Sequence, residues 1–290
     1  MKRTPTDIPK PSKEVILEAA TLSAPAARFL ISGYYSTQDA RKRGDMQLRH
    51  LGDGIANELT KTVGYMADAN AVMEAQVLRS LKSYAEGTPV GRWCLAQHGI
   101  GPVIAAGMIA HIDIEIAQTA GQVWRFAGLD PSCKWKTGEK RPWNADLKQL
   151  AFHIGECFKR ASNHPDCFYG RIYRDSKALL GARNDAGANA ERAKVFVTKS
   201  ADVKATLATG KLPDGNLDRQ ACNYAVKIFI SHLHAVMFWD KFKKPPPKPF
   251  AISILGHAHE IKIPHADMFP RFEKAYYGDG VKRRRLEAAE

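Results

Sequence analysis

Large apolar residues recur at helical intervals through the first third of the chain. Leu48, Leu51, Ile55, Leu59, Val63, Met66, Met73, Val77, Leu81 and Tyr84 fall at steps of three, four or seven, which places them on one face of a helix. Gly52 and Gly54 interrupt that face, and because glycine weakens a helix interior the pattern predicts two helices. Upstream, Ser12 is placed to cap a helix through Leu17 and Ala20, and Pro25 sits in the first turn of the next. Arg41, Lys42, Arg43 and Arg49 ride on the first long piece. A helical hairpin or dimerising arm is expected there, with a homo-oligomer forming through the N-terminal helices. A plain solvated face explains the charges equally well.

The rest of the chain is punctuated. Residues 1–12, with three prolines, read as a flexible lead-in, and Gly87-Thr88-Pro89 ends the arm. Residues 181–216 are rich in Ala, Gly, Asn and Lys and poor in large apolar groups, which predicts an exposed helix between loops. A strong helix is expected from about Asp218 to Phe242, anchored by Tyr224, Ile228, Val236 and Trp239 and ended by Pro245-Pro246-Pro247. Ala251-Ile252-Ser253-Ile254-Leu255 looks β-like, and Lys282-Arg283-Arg284-Arg285 forms a basic tail. The predicted architecture is mainly α. It comprises a helical arm over 1–88, a helix-hairpin-helix core over 89–182, and a helical C-terminal region with a few short strands over 183–290.

Composition narrows the class. With 44% hydrophobic and 25% charged residues, the chain has the balance of a globular protein. No run approaches eighteen apolar residues, so no membrane helix is expected. Met1-Lys2-Arg3-Thr4-Pro5 leads into no apolar run either, so no secretory signal is expected and the cytoplasm is the expected compartment. Cys94, Cys133, Cys157, Cys167 and Cys222 are widely spaced without a C-x-x-C pair, which suits reduced thiols better than a disulfide framework or zinc knuckle. The formal net charge of +13 changes the picture most. Cations that meet phosphates release condensed counterions, so nucleic acid is the partner such an excess favours, with solubility as the alternative role. No basic amphipathic helix points to a membrane surface.

The chemistry concentrates between Trp93 and Asn144. A short helix runs into Gly99-Ile100-Gly101, and Pro102 opens a second helix through Val103, Ala106 and Ile109. The glycines permit a tight hairpin, and Ala105, Ala106 and Gly107 would let its helices approach closely. The N–H groups at the second helix's start form a phosphate site, so the hairpin is read as a grip on DNA backbone. An ordinary helical hairpin is the alternative. Further on, Lys134, Lys136, Lys140 and Arg141 surround Trp135 and Trp143. Such a patch can hold a backbone and stack on unpaired bases, in DNA or in RNA, unless the tryptophans belong to the core. Lys159, Arg160, Arg171 and Arg174 are candidates to extend it.

Gly99-Ile100-Gly101-Pro102, then Trp124-Arg125-Phe126-Ala127-Gly128-Leu129-Asp130-Pro131, then Thr137-Gly138, Lys140-Arg141 and Asn144 occur in that order. Over residues 90–175 the chain resembles the C-terminal domain of insertion-sequence transposases that pair a DEDD nuclease domain with a serine. The resemblance implies DNA binding in transposition or recombination, with Gly99, Ile100, Gly101, Lys134, Lys136, Lys140, Arg141 and Asn144 at the DNA. Thr137 stands where the family has its serine nucleophile, and Ser132 is the nearest serine. The family's N-terminal ribonuclease-H-like half has no counterpart in the first 90 residues. Catalysis would therefore need a separate nuclease subunit and magnesium, and a non-catalytic architectural protein of a mobile element or phage is the alternative. No cofactor or metal site follows from the motifs alone. Asp113 and Glu115 suit a helix-end surface pair better than a magnesium site. His232 and His234 point about 200° apart on a helix and cannot share an ion, whereas His257 and His259 would point the same way on an extended segment.

Overall fold

A computed structural model of the chain describes residues 10–51, 58–247 and 261–278. The protein is mainly α, and no strand occurs among the described residues. The lead-in before Lys10, Gly52 and Gly54, the β-like stretch at 251–255, His257, His259 and the basic tail lie outside them. The chain divides into two units, one formed by the residues up to Leu95 with Gly101–Asp113, the other by Ala96–Ile100 with the residues from Ile114 onward.

The N-terminal unit contains α1 (Lys13–Glu18), α2 (Ala24–Leu51), α3 (Glu58–Glu86), α4 (Pro89–Ala96, but for its last residue) and α5 (Pro102–His111). Ser12 caps α1 by accepting from the Val15 N–H at 3.4 Å, and Pro25 lies in the first turn of α2. α2 and α3 pack along each other, and α5 packs on both. Their shared core holds Ala27, Ile31, Leu81, Tyr84, Val103, Ala106 and Ala110. Farther along the pair, contact is made by small residues: a Cβ on Gly44 would stand 3.0 Å from Ala67 Cβ. The apolar stripe read from the sequence is therefore buried only in part. Leu81 and Tyr84 are core, whereas Leu59, Met66 and Met73 are exposed. Arg41 donates to Glu74 across the pair at 2.6 Å, so one cation of the expected basic face belongs to the helix contact.

The C-terminal unit is organised on one long helix. Its elements are α6 (Ala120–Phe126), α7 (Ala145–Arg160), α8 (Phe168–Asp185), α9 (Ala190–Lys194), α10 (Ala201–Ala208), α11 (Asp214–Phe242) and α12 (Phe272–Tyr277). α11 packs against α6, α7 and α8. Leu147, Ile154, Phe158, Tyr169, Phe229, Ile230 and Leu233 are almost wholly buried in this core. Close approach of α7 and α11 depends on Gly155, where an added Cβ would sit 3.2 Å from Cys222 Cβ. α11 ends with Lys243 in a left-handed conformation, two residues before the triple proline. Val236 and Trp239 anchor it as expected, but Tyr224 is 45% exposed.

Candidate nucleic-acid interface

The loop from Ala127 to Asn144 is suspended between two helix ends. α6 stops where Gly128 takes φ +64°, and the Leu129 N–H turns back to the Trp124 carbonyl at 2.9 Å. Glycine meets the least steric cost in that left-handed position. A Cβ on Gly128 would also come within 2.9 Å of both Trp143 Cγ and Lys148 Cδ. Much of the Ala-Gly-Leu-Asp-Pro motif is thus a helix stop with a crowded glycine. At the other end Asn144 caps α7, its Oδ1 accepting from the Leu147 N–H at 2.8 Å.

Neither hydroxyl singled out as a nucleophile stands beside an effective base. Ser132 donates its hydroxyl to Asp130 Oδ1 at 2.7 Å, and its N–H to the same oxygen at 2.9 Å. These bonds, the hydroxyl's first, hold the Asp130 carboxyl below its ordinary range, which makes it a poor proton acceptor. Thr137 is exposed in a turn in which the Glu139 N–H donates to the Lys136 carbonyl at 3.1 Å and Gly138 takes φ +95°. Among the described residues, no three His, Cys, Asp or Glu side chains are grouped to hold a metal ion. Magnesium thus finds no donor set among them. Glu115 pairs with Lys241, and Asp113 belongs to the other unit.

The cations and the tryptophans do come together. The Trp135 and Trp143 rings meet edge to face, with centroids 6.1 Å apart and an interplanar angle of 64°. The Arg141 guanidinium lies 5.4 Å from the Trp135 ring centroid, and Lys148 Nζ lies 3.8 Å from that of Trp143. Each such contact contributes about 0.5–1 kcal/mol at an exposed site. Trp135 Nε1 donates to the Glu139 carbonyl at 2.7 Å, tying the ring to the turn. Lys134, Lys136, Lys140 and Arg141 are exposed, and both tryptophans are half-buried. The rings are therefore shared between the loop's own packing and its surface.

The hairpin residues are placed differently. Gly99 has φ +95° and faces Phe158 of α7, Ile100 is buried, and its N–H donates to the Gln97 carbonyl at 3.0 Å. Gly101 is the N-cap of α5 in an ordinary extended conformation, with nothing within 4 Å of a Cβ added there. Gly99 and Ile100 belong to the C-terminal unit, Gly101 and α5 to the N-terminal one. Ala106 packs into the core shared with α2 and α3, so this small residue serves that contact.

Of the cations expected to extend the patch, Lys159 is engaged elsewhere. Asp218 accepts from Lys159 Nζ at 2.7 Å, Lys177 Nζ at 3.1 Å and the Tyr173 hydroxyl at 2.5 Å. Burial alone would raise the Asp218 carboxyl, but these bonds outweigh it and bring its pKa down to about 2. Arg171 lies over Phe168, and Arg174 is beside Asp175. His232 and His234 are buried, their Nε2 atoms bonded to the carbonyls of Ile261 and Ala117.

Sequence reasoning missed a cleft of about 560 Å³ beside the Gly128–Pro131 turn. Gln220, Asn223, Tyr224 and Lys227 of α11 line it with Arg192 of α9 and Asp130. Their spacing of i, i+3, i+4 and i+7 was the one signal that could have found it: a polar stripe on a helix otherwise devoted to the core. Comparison of the chain with protein-family models, curated proteins and solved structures finds no match.

Proposed function

We propose that this is a DNA-binding protein of the transposase type, holding DNA during transposition or recombination through the loop from Lys134 to Lys148. The observation that carries the reading is the pair of half-buried tryptophans, each with a cation on its ring, amid exposed Lys134, Lys136, Lys140 and Arg141. Cations track a phosphate backbone, while the rings offer stacking to any base that leaves the duplex. The net charge of +13 adds attraction for a polyanion at longer range. The transposase class rests on the motif order from Gly99 to Asn144. The role assigned is the grip and not strand transfer, because the Ser132 hydroxyl is tied to a weak base and Thr137 lies in an exposed turn. Any strand chemistry would fall to a separate nuclease subunit.

Competition among duplex DNA, single-stranded DNA and RNA for the purified protein, repeated with magnesium and scored for joined products, tests this. Salt-sensitive binding that prefers DNA, without product, is expected. Preference for RNA would overturn the assignment of partner. A joined product that disappears on Thr137→Ala or Ser132→Ala would overturn the restriction to gripping.

A further inference from the structure

We infer that the cleft bounded by the Gly128–Pro131 turn, α8, α9 and α11 binds one nucleoside phosphate. Its volume of about 560 Å³ falls within the range of small-ligand sites, roughly 300–1,000 Å³. Its lining supplies each kind of contact such a ligand requires. Lys227 and Arg192 bring two positive charges to it, suited to a phosphate group. Lys227 is half-buried at the segment where its own carbonyl accepts from Trp124 Nε1 at 3.1 Å, which fixes the backbone that carries it. Burial lowers the pKa of its ammonium, and the nearby Asp130 opposes that shift. An arriving phosphate would favour the charged form further.

Arg192 is positioned by a relay. Its guanidinium donates to Asn189 Oδ1 at 3.4 Å, and Asn189 in turn donates to buried Asn184 at 2.9 Å. Tyr224 presents an aromatic ring that α11 leaves 45% exposed, where a base can stack. Asn223 offers an amide edge, and Gln220, whose Nε2 donates to Asn216 Oδ1 at 2.6 Å, keeps its carbonyl oxygen as an acceptor. Asp130 spends Oδ1 on Ser132, leaving its other oxygen to meet a sugar hydroxyl. A bare inorganic anion would use only the two cations.

The cleft adjoins the proposed DNA loop through a shared residue. Gly128 lines the cleft and is also the glycine whose added Cβ would strike Trp143 and Lys148. A strand held on the loop can therefore pass one nucleotide into the cleft, or a free nucleotide can occupy it. The first source rests on the DNA-binding reading; the second does not.

Calorimetric titration of the full chain with adenosine 5′-monophosphate, inorganic phosphate and a single-stranded oligonucleotide tests the inference. The mononucleotide should bind at least about tenfold more tightly than phosphate. Lys227→Gln, Arg192→Gln and Tyr224→Leu should each weaken it by about tenfold, with unchanged circular dichroism and melting. Lys140→Ala with Arg141→Ala should leave mononucleotide binding intact. Displacement of the mononucleotide by the oligonucleotide would identify a strand as the source, and simultaneous binding would identify the free nucleotide. No mononucleotide binding, or binding indifferent to all three cleft variants, overturns the inference even if the oligonucleotide binds. Cleft-dependent mononucleotide binding without any oligonucleotide binding would instead sink the DNA-binding reading and leave the cleft standing.

Discussion

Gly128 and Gly101 both belong to the motifs that suggested a transposase, yet their backbones ask different things of them. Alanine at Gly128 would have to adopt φ +64° with its Cβ 2.9 Å from Trp143 Cγ and Lys148 Cδ. The conformation alone costs about 1–2 kcal/mol, and the contact adds displacement of the loop. Alanine at Gly101 meets nothing within 4 Å and no forbidden backbone, so its effect should stay within about 0.5 kcal/mol. Urea denaturation of the two variants checks this contrast, and equal losses of stability would contradict the helix-stop role of Gly128. A second residue-scale prediction concerns pH. His232 accepts from the Tyr169 hydroxyl at Nδ1 and donates from Nε2 to the Ile261 carbonyl, a neutral tautomer inferred from its partners. Burial lowers its pKa from 6.5 to about 4. Below the unfolded value the open chain takes up a proton that the folded one refuses. The stabilising difference is therefore whole above about pH 6.5 and falls away towards pH 4, by about 3 kcal/mol. Asp218, with a folded pKa of about 2 against 3.8, gives a separate loss in a lower window, from about pH 4 to pH 2. Unfolding curves at pH 7.5 and 4.5 should differ in midpoint for the wild type and much less for His232→Gln.

At the scale of elements, local signals were legible and partners were not. Ser12, Pro25 and the triple proline mark helix ends because caps and breakers act within a turn of the chain. The buried face of α3 could not be read from its large residues. Gly44 and Ala67 make the distal contact with α2, and that leaves Met66 and Met73 outside. Nor did the pattern of α5 reveal that it packs on α2 and α3, since an apolar helix of small residues suits any neighbour. The loop's cations and tryptophans were legible because they are adjacent in sequence. The cleft was not, because Arg192, Asp130 and α11 meet only through the fold. Asn144, singled out for DNA, has its side-chain oxygen engaged as the cap of α7. Among these junctions the one around Asp218 is the most exacting, joining Lys159 of α7 with Tyr173 and Lys177 of α8 to α11. Asp218→Asn would remove the charge that two ammonium groups share. A destabilisation of about 1–3 kcal/mol is expected, less than for a wholly buried pair because both lysines reach solvent. Thermal melting at low and high salt would show it, and an unchanged midpoint would mean the network is only a surface arrangement.

For the molecule as a whole, the mainly α fold and the excess of positive charge set the terms. Each of the two units has helices enough for a core of its own, and none of the described helices is long and apolar enough to cross a membrane. Charge by itself selects no partner, since solubility would be served as well. What distinguishes a binding surface is that removing particular cations changes how many counterions are released. The most direct measurement is the slope of log affinity for duplex DNA against log salt concentration, for the wild type and for the Lys140→Ala, Arg141→Ala double variant. The slope should flatten by up to about two, near 0.9 for each phosphate that no longer meets a cation, while melting stays the same. Parallel lines, or no salt-dependent binding of the wild type at all, would contradict the claim that this loop holds DNA.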